Sequence, residues 1–404
     1  MAMLKILKDE YDVSVMGIDS ENGSKMPDIV IQDECGISHN IPSFSYLAYK
    51  KRNKWQELKL WLNVARGAWD KLSFIPNRLH IITHLLSHHY DVIICHDVLL
   101  LPVLFAGLEQ SELQKANKEN PKRQNMSQIH EGGGIRQKTK VIFDAREFYP
   151  LQNTSSLRWR LLFKKFNTYL CATYAPKADV MFSVSPMFCE MYEREFGLKA
   201  HLLMSLKPFY NLSPRPIDSQ CVKILYHGAL NQNRDIDKVI ELCRYLDERF
   251  CIDFIFTGGE RAFAQKIHSR IQALQMQGKK IRLLPPVALE QIVPFGNAYD
   301  IGLLYIPPHN HNLLFGLPNK FFEYIQSRLA LLIPPIPSLM PFVEQYDNAI
   351  IARDFAITSL AEALSKLDSA QIMRYKEHSN KAAAKLHFSH NIHLVRDCVA
   401  KLLA

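Results

Sequence analysis

The residues best suited to chemistry gather in LFGLPNKFFEYIQSR, residues 314–328. Gly316 and Leu317 lead into Pro318, which fits the first turn of a helix, while the glycine allows close backbone approach. The helix that follows presents its early N–H groups to an anion. Asn319 and Lys320 add an amide and a cation, both suited to phosphate oxygens. Glu323 falls about one turn further on, where a carboxylate accepts hydrogen bonds from a diol such as a ribose. A Pro-started amphipathic helix carrying a surface glutamate would show the same pattern.

A second segment, KILYHGALNQNRDIDKVIELC (223–243), reads as strand, glycine turn at Gly228 and helix, with Arg234 at the helix entrance. A guanidinium there can clamp a diphosphate. A lone Gly and Arg at such a junction are also an ordinary structural pair. FIFTGGERAF (254–263) places Gly258 in another turn after a strand. The three segments would sit at the carboxyl ends of strands in one sheet, where doubly wound folds bind ligands.

The elements that position them alternate along the chain. Apolar runs at 11–18, 91–95, 140–144 and 180–183, then at 223–227, 251–257, 280–284, 301–305 and 330–333, are separated by helical stretches such as 235–250, 261–277 and 320–328. Continuous rather than alternating apolar strands imply buried parallel strands in βαβ units. The fold class is therefore α/β, with two doubly wound, Rossmann-like domains. Prolines 208, 214 and 216 mark a hinge, giving an N-terminal domain over 1–207 and a C-terminal domain over 208–385. Residues 386–404 form a last helix expected to pack back toward the first domain. The polar, glycine-tripled stretch 110–139 has little to bury and is expected to be an exposed, mobile insertion. The opening residues read as a helix over 3–8 leading to a first strand at 11–18, so the domain is expected to lack its usual opening strand or to start late.

The 404 residues carry 49 Lys and Arg against 40 Asp and Glu, an excess that favours phosphate-bearing partners. No recognition motif for nucleic acid accompanies the charge, and none is expected as a partner. The eight cysteines are scattered without a C-x-x-C pair and read as reduced core thiols of a cytosolic protein. His96, His309 and His311 lack a carboxylate cluster at ligand spacing, so no metal is expected. SSLRWRLLFKKFNTYLCATYAPKAD (155–179) sets Leu157, Leu161, Leu162, Phe166 and Leu170 at helical spacing beside Arg158, Arg160, Lys164 and Lys165. That composition suits an interfacial helix on anionic lipid, and equally a core helix with a basic outer face. A second basic, aromatic stretch lies at 49–69.

Taken in order, HGALNQNRDIDKVIE, FIFTGGE, DIGLLYIPP and GLPNKFFEYIQSRLALLIPP resemble the donor domain of the GT-B glycosyltransferases, in particular the large retaining group that uses nucleotide sugars. CHDVLLLPV and KVIFDAREFYP resemble that family's acceptor domain, which implies that His96 and Asp97, just after a strand, line the acceptor side of the cleft. The resemblance implies a donor site in the C-terminal domain, with Arg234 on the phosphates, Asn319 and its neighbours at the phosphate-binding helix start, and Glu323 on the ribose. Val287 falls where the family's main chain reads the base. Three positions depart from the family pattern: Phe315 replaces the first glutamate of E-x7-E, Ala229 replaces an arginine, and Arg146 replaces the histidine of the D-A-H segment. Arg146 would stabilise donor charge without acting as a base, and Glu147 beside it could be one; a loop salt bridge accounts for the pair equally well. The implied activity is metal-free transfer of a sugar, with retention, from a nucleotide diphosphate sugar to a lipid-linked or cell-surface glycan on the inner face of a membrane. An epimerase of the same fold and a catalytically degenerate partner subunit are the alternatives.

Overall fold

A computed structural model describes residues 2–18, 29–32, 38–46, 53–119, 138–309 and 311–404. The chain divides into two compact units: the first comprises Met1–Ser183, Cys189–Leu202 and Ile392–Ala404, the second Val184–Phe188 and Leu203–Asn391.

The described strands of the first unit are β1 (Val15–Ile18), β2 (Ile29–Gln32), β3 (Ser38–Ile41), β4 (Ser43–Tyr46), β5 (Val92–Cys95), β6 (Lys140–Ala145), β7 (Val180–Ser183) and β8 (His201–Leu202). β5-β6-β7-β8 form a parallel sheet in that order, β1 pairs with β4 in parallel, and β2 with β3 antiparallel. A helix over Ala2–Leu7 precedes β1. The segment 110–119, expected to open an exposed insertion, instead continues the helix Leu101–Glu119. Helical propensity in SELQKANKE suffices there, although its apolar content is low. The remainder of the expected insertion, 120–137, lies outside the described residues. The last helix, Ser389–Leu403, contributes its residues from Ile392 onward to this unit, where the Arg396 guanidinium lies 3.0 Å from Glu10.

The second unit holds β9 (Val222–Ala229), β10 (Phe250–Thr257), β11 (Ile281–Leu284), β12 (Ile301–Leu303), β13 (Ala330–Ile333) and β14 (Ala349–Ile351). They form one parallel sheet in the order β11-β10-β9-β12-β13-β14. This order reverses between β9 and β12, the topological switch point at which such sheets bind ligands. Both faces are buried, which is why the strands read as unbroken apolar runs. Val222, Ile224 and Tyr226 of β9 and Ala330 and Leu332 of β13 enter one core, whereas Leu225, Leu331 and Ile333 enter the other. The helices Ile236–Tyr245 and Arg261–Met276 cover the first face, and Asn319–Gln326 covers the second.

Residues just before 208 fold with the second unit because Leu206 is buried in its second core and Asn391 donates to the Met204 carbonyl at 2.7 Å. Cys221 and Cys251 form a disulfide, with Cα atoms 5.9 Å apart. This corrects the reading of all eight cysteines as thiols: the β9–β10 register sets Cys251 opposite Lys223, two residues from Cys221, a proximity that a sequence separation of 30 conceals. Cys95, Cys171, Cys189, Cys243 and Cys398 are free, and Cys35 lies outside the described residues.

Candidate functional site

The helix Asn319–Gln326 is held against the middle of β9 and the carboxyl end of β12 by Tyr324. Its hydroxyl donates to the carbonyls of Leu225 and Leu303, each at 3.2 Å, and accepts the His227 N–H at 3.3 Å. Gly302 makes this approach feasible, since a Cβ there would lie 2.4 Å from the Tyr324 ring. Pro318 occupies the N-cap position and Asn319 begins the helix, exposed to solvent. Leu317 is buried. The Gly316 N–H donates to the Asn312 carbonyl at 3.0 Å, and its own carbonyl accepts from Ser338 at 2.8 Å, fixing the loop before the helix.

Glu323 is buried on this helix, and its Oε1 lies 2.7 Å from the Lys207 ammonium. Its Oε2 lies 3.5 Å from His227 Nε2, a buried atom that makes no hydrogen bond among the described residues. Burial, followed by repulsion from Lys320 and Lys207, pushes the His227 pKa down to about 3, so the ring is neutral at physiological pH. Lys320 stretches beneath Gly228 and places its ammonium 4.0 Å from the centroid of the Tyr226 ring. Gly228 has φ +145°, a backbone that favours glycine, and a Cβ there would meet Lys320 Nζ at 2.7 Å, so a larger residue would also displace the end of the lysine. Burial, then repulsion from Arg234, lowers the Lys320 pKa to about 7, with Glu323 opposing.

Arg234 closes the short turn Gln232–Arg234, which Asn231 caps by accepting the Asn233 N–H at 2.9 Å. Asp235 follows with φ 50° and binds both Lys238 and His309, at 2.7 and 3.0 Å. The structure thus gathers Gly228, Arg234, Lys320 and Glu323 about the end of β9. Gly258, with φ +63°, turns the chain after β10, and Val287 packs half-buried against the second core. The stretch 314–323 and the end of β9 announced themselves in the sequence. Lys207 and His227 did not, the first because it lies in an aperiodic proline-rich stretch, the second because the adjoining Gly228 supplied the visible signal.

A second cluster lies in the first unit, at the ends of β5 and β6. Asp144 is fully buried, its Oδ2 2.8 Å from His96 Nδ1 and 3.3 Å from Arg146 Nη1. Its Oδ1 makes no hydrogen bond among the described residues. His96 and Arg146 keep 55% and 45% of their side-chain surface in solvent. The His96 carbonyl accepts from Tyr149, and the Glu147 carbonyl from Tyr192. Asp97 turns inward instead: its carboxylate caps the Leu99 N–H at 2.9 Å, and burial raises its pKa. Asp97 therefore orders a turn, and the polar surface at this strand end belongs to His96 and Arg146, organised by Asp144. The described residues contain no group of three His, Cys, Asp or Glu side chains placed to hold a metal ion.

No protein-family model matches the chain, and no curated protein matches it. Solved structures do match over nearly its whole length. Sucrose-phosphate synthase from Thermosynechococcus elongatus superposes with a TM-score of 0.63 at 12% identity, covering 99% of this chain and 91% of that one. A trehalose-6-phosphate structure from E. coli, bound with UDP-2-fluoro glucose, gives 0.60 at 12% identity, covering 100% and 95%. TarM from S. aureus, in complex with Fondaparinux, alpha-GlcNAc-glycerol and UDP, gives 0.55 at 12% identity over 82% and 59%. The chain has the two-domain, Rossmann-like GT-B fold that these proteins share.

Proposed function

We propose that the protein is a glycosyltransferase that moves a sugar from a nucleoside diphosphate sugar to a glycan or glycolipid acceptor. The observation that carries this reading is the convergence of Arg234, Lys320 and Glu323 on the carboxyl end of β9, beside the start of the helix Asn319–Gln326 and at the switch point of a six-stranded parallel sheet. Arg234, Lys320 and the first N–H groups of that helix suit a diphosphate. Glu323 suits a ribose diol, and the main chain at Val287 suits the base. As the bond to the sugar breaks, negative charge grows on the leaving diphosphate, and preorganised cations stabilise it most at that point. These cations supply the charge, so the proposal includes no metal.

On the acceptor side, His96, Arg146 and Glu147 would contact the incoming hydroxyl or the transferred sugar, with Asp144 orienting His96 and Arg146. Retention of configuration, a lipid-linked or cell-surface glycan acceptor and action on the inner face of a cytoplasmic membrane complete the proposal. No helix among the described residues is long and apolar enough to cross a membrane.

A thermal-shift panel of UDP-, GDP-, ADP- and CMP-sugars tests the reading, because a ligand that binds the folded state alone raises the melting temperature. One base is expected to stabilise the protein, with the shift lost in Glu323→Gln. The absence of a shift with every donor would refute the donor site.

A further inference from the structure

The expected interfacial helix over 155–179 is not a single element. It breaks at Phe163 into the helices Leu157–Leu162 and Lys164–Thr173. Leu162, Phe166 and Leu170, three of the five leucine and phenylalanine positions expected on a lipid face, are buried in the core. Leu157 and Leu161 remain exposed on the first short helix.

That helix has a neighbour far away in sequence. Glu57, on the helix Lys54–Ala65, pairs with Arg158. The Lys54–Ala65 helix is firmly started: Asn53 and Gln56 form a reciprocal capping box, each side chain accepting the other's backbone N–H at 2.9 Å. It buries Leu60 and Asn63 and turns Trp55, Leu58, Trp61 and Leu62 outward. The spacing 55, 58, 62 makes one helical stripe, with 61 beside it. The six outward apolar side chains of the two helices are between 42% and 79% exposed. Below them, Trp69 stacks on Phe166 at 5.9 Å and fixes the loop after Lys54–Ala65 to the core.

The same two helices carry exposed cations, Lys54 and Lys59 on one and Arg158 and Arg160 on the other, and Lys164 and Lys165 open the helix that follows. We propose that this two-helix face docks the protein on an anionic lipid bilayer, with Trp55, Leu58 and Leu161 entering the headgroup boundary and the cations meeting lipid phosphates. Tryptophan with an apolar body and a polar N–H is suited to that boundary. A protein partner fits the face less well, because the cores of protein interfaces are depleted in lysine whereas anionic headgroups attract it.

Sedimentation of the full chain with vesicles tests the proposal, using phosphatidylcholine alone and phosphatidylcholine mixed with phosphatidylglycerol. Binding should be at least about tenfold tighter to the anionic vesicles and should weaken as salt rises. The Trp55→Ser, Leu58→Ser, Leu161→Ser variant should keep its melting temperature and lose binding by about tenfold or more. A chain that ignores both vesicle types overturns the proposal, as does a folded triple variant that binds as well as wild type. A wild-type dimer that becomes monomeric in the triple variant, without vesicle binding in either, would assign the face to a second copy instead and would also overturn it.

Discussion

Two buried carboxylates, Glu323 in the second unit and Asp144 in the first, each face a histidine and a cation, yet they are built for different conditions. Around Glu323 the partners are enclosed: Lys207 keeps 19% of its side-chain surface and His227 10%. Around Asp144 they are open, with His96 and Arg146 about half in solvent. An enclosed charge cannot be rehydrated when its partner is removed, whereas an exposed one can. The Glu323 cluster is therefore part of the fold's own electrostatics as well as the proposed donor site, while the Asp144 cluster aims two polar groups outward with little at stake for stability. His227 shows the same contrast from the other side, since its burial keeps it neutral beside a carboxylate that would otherwise favour its proton.

Replacing Glu323 should give the largest effect. Glu323→Gln keeps the shape but leaves Lys207 and Lys320 without their anion, a loss of about 3 kcal/mol at the lower end for a broken buried pair, because Lys207 retains some water. Donor affinity should fall as well, by about tenfold to a hundredfold, through the lost charge-assisted bonds. Urea unfolding and calorimetry read the two quantities separately. Asp144→Asn should cost turnover while lowering stability by no more than about 1 kcal/mol, since His96 and Arg146 regain water. Equal stability losses in the two variants would break the contrast between the sites.

Much of this was legible beforehand, and the limits have physical causes. Five of the six strands of the second unit stood out because burial on both faces turns a strand into an apolar run; β14 did not, being an edge strand of three residues with Ile351 exposed. Pro318, Lys320 and Glu323 stood out because a helix start has local chemistry. Lys207 is different: its partner lies 116 residues away on a helix, and nothing near 207 reports that pairing. Arg146 drew attention as a departure from a family motif, but the organising group is Asp144 two residues earlier, whose role depends on β5 and β6 lying side by side. The break at Phe163 was equally hidden, because the apolar spacing continues through it and only packing shows which side chains turn inward.

Arg234 sharpens the comparison at an intermediate scale, being half-buried rather than enclosed. Arg234→Ala should weaken donor binding by about tenfold to a hundredfold, and Arg234→Lys should recover part of that, keeping charge without the fork. Stability should barely change in either, as judged by melting temperature. Near-wild-type turnover in both variants would remove Arg234 from the phosphates.

The smallest expected effect is a proton. Lys320 has its pKa lowered from 10.5 to about 7 by burial and by Arg234. A lysine depressed in this way holds fewer protons folded than unfolded across that interval, so its contribution to stability rises as pH increases from about 7 to 10.5, and its full cost is present below. A bound diphosphate would favour the charged form and return the pKa upward. Donor binding at pH 8 should then take up a fraction of a proton, visible as a difference in apparent enthalpy between HEPES and Tris, and uptake should vanish near pH 6, where the ammonium is already protonated. Affinity should fall as pH rises above 7, by at most about tenfold per unit for a single group. Lys320→Arg, charged throughout, should bind without uptake. Unaltered uptake in that variant would place the titrating group elsewhere and leave Lys320 as a structural cation beneath Gly228.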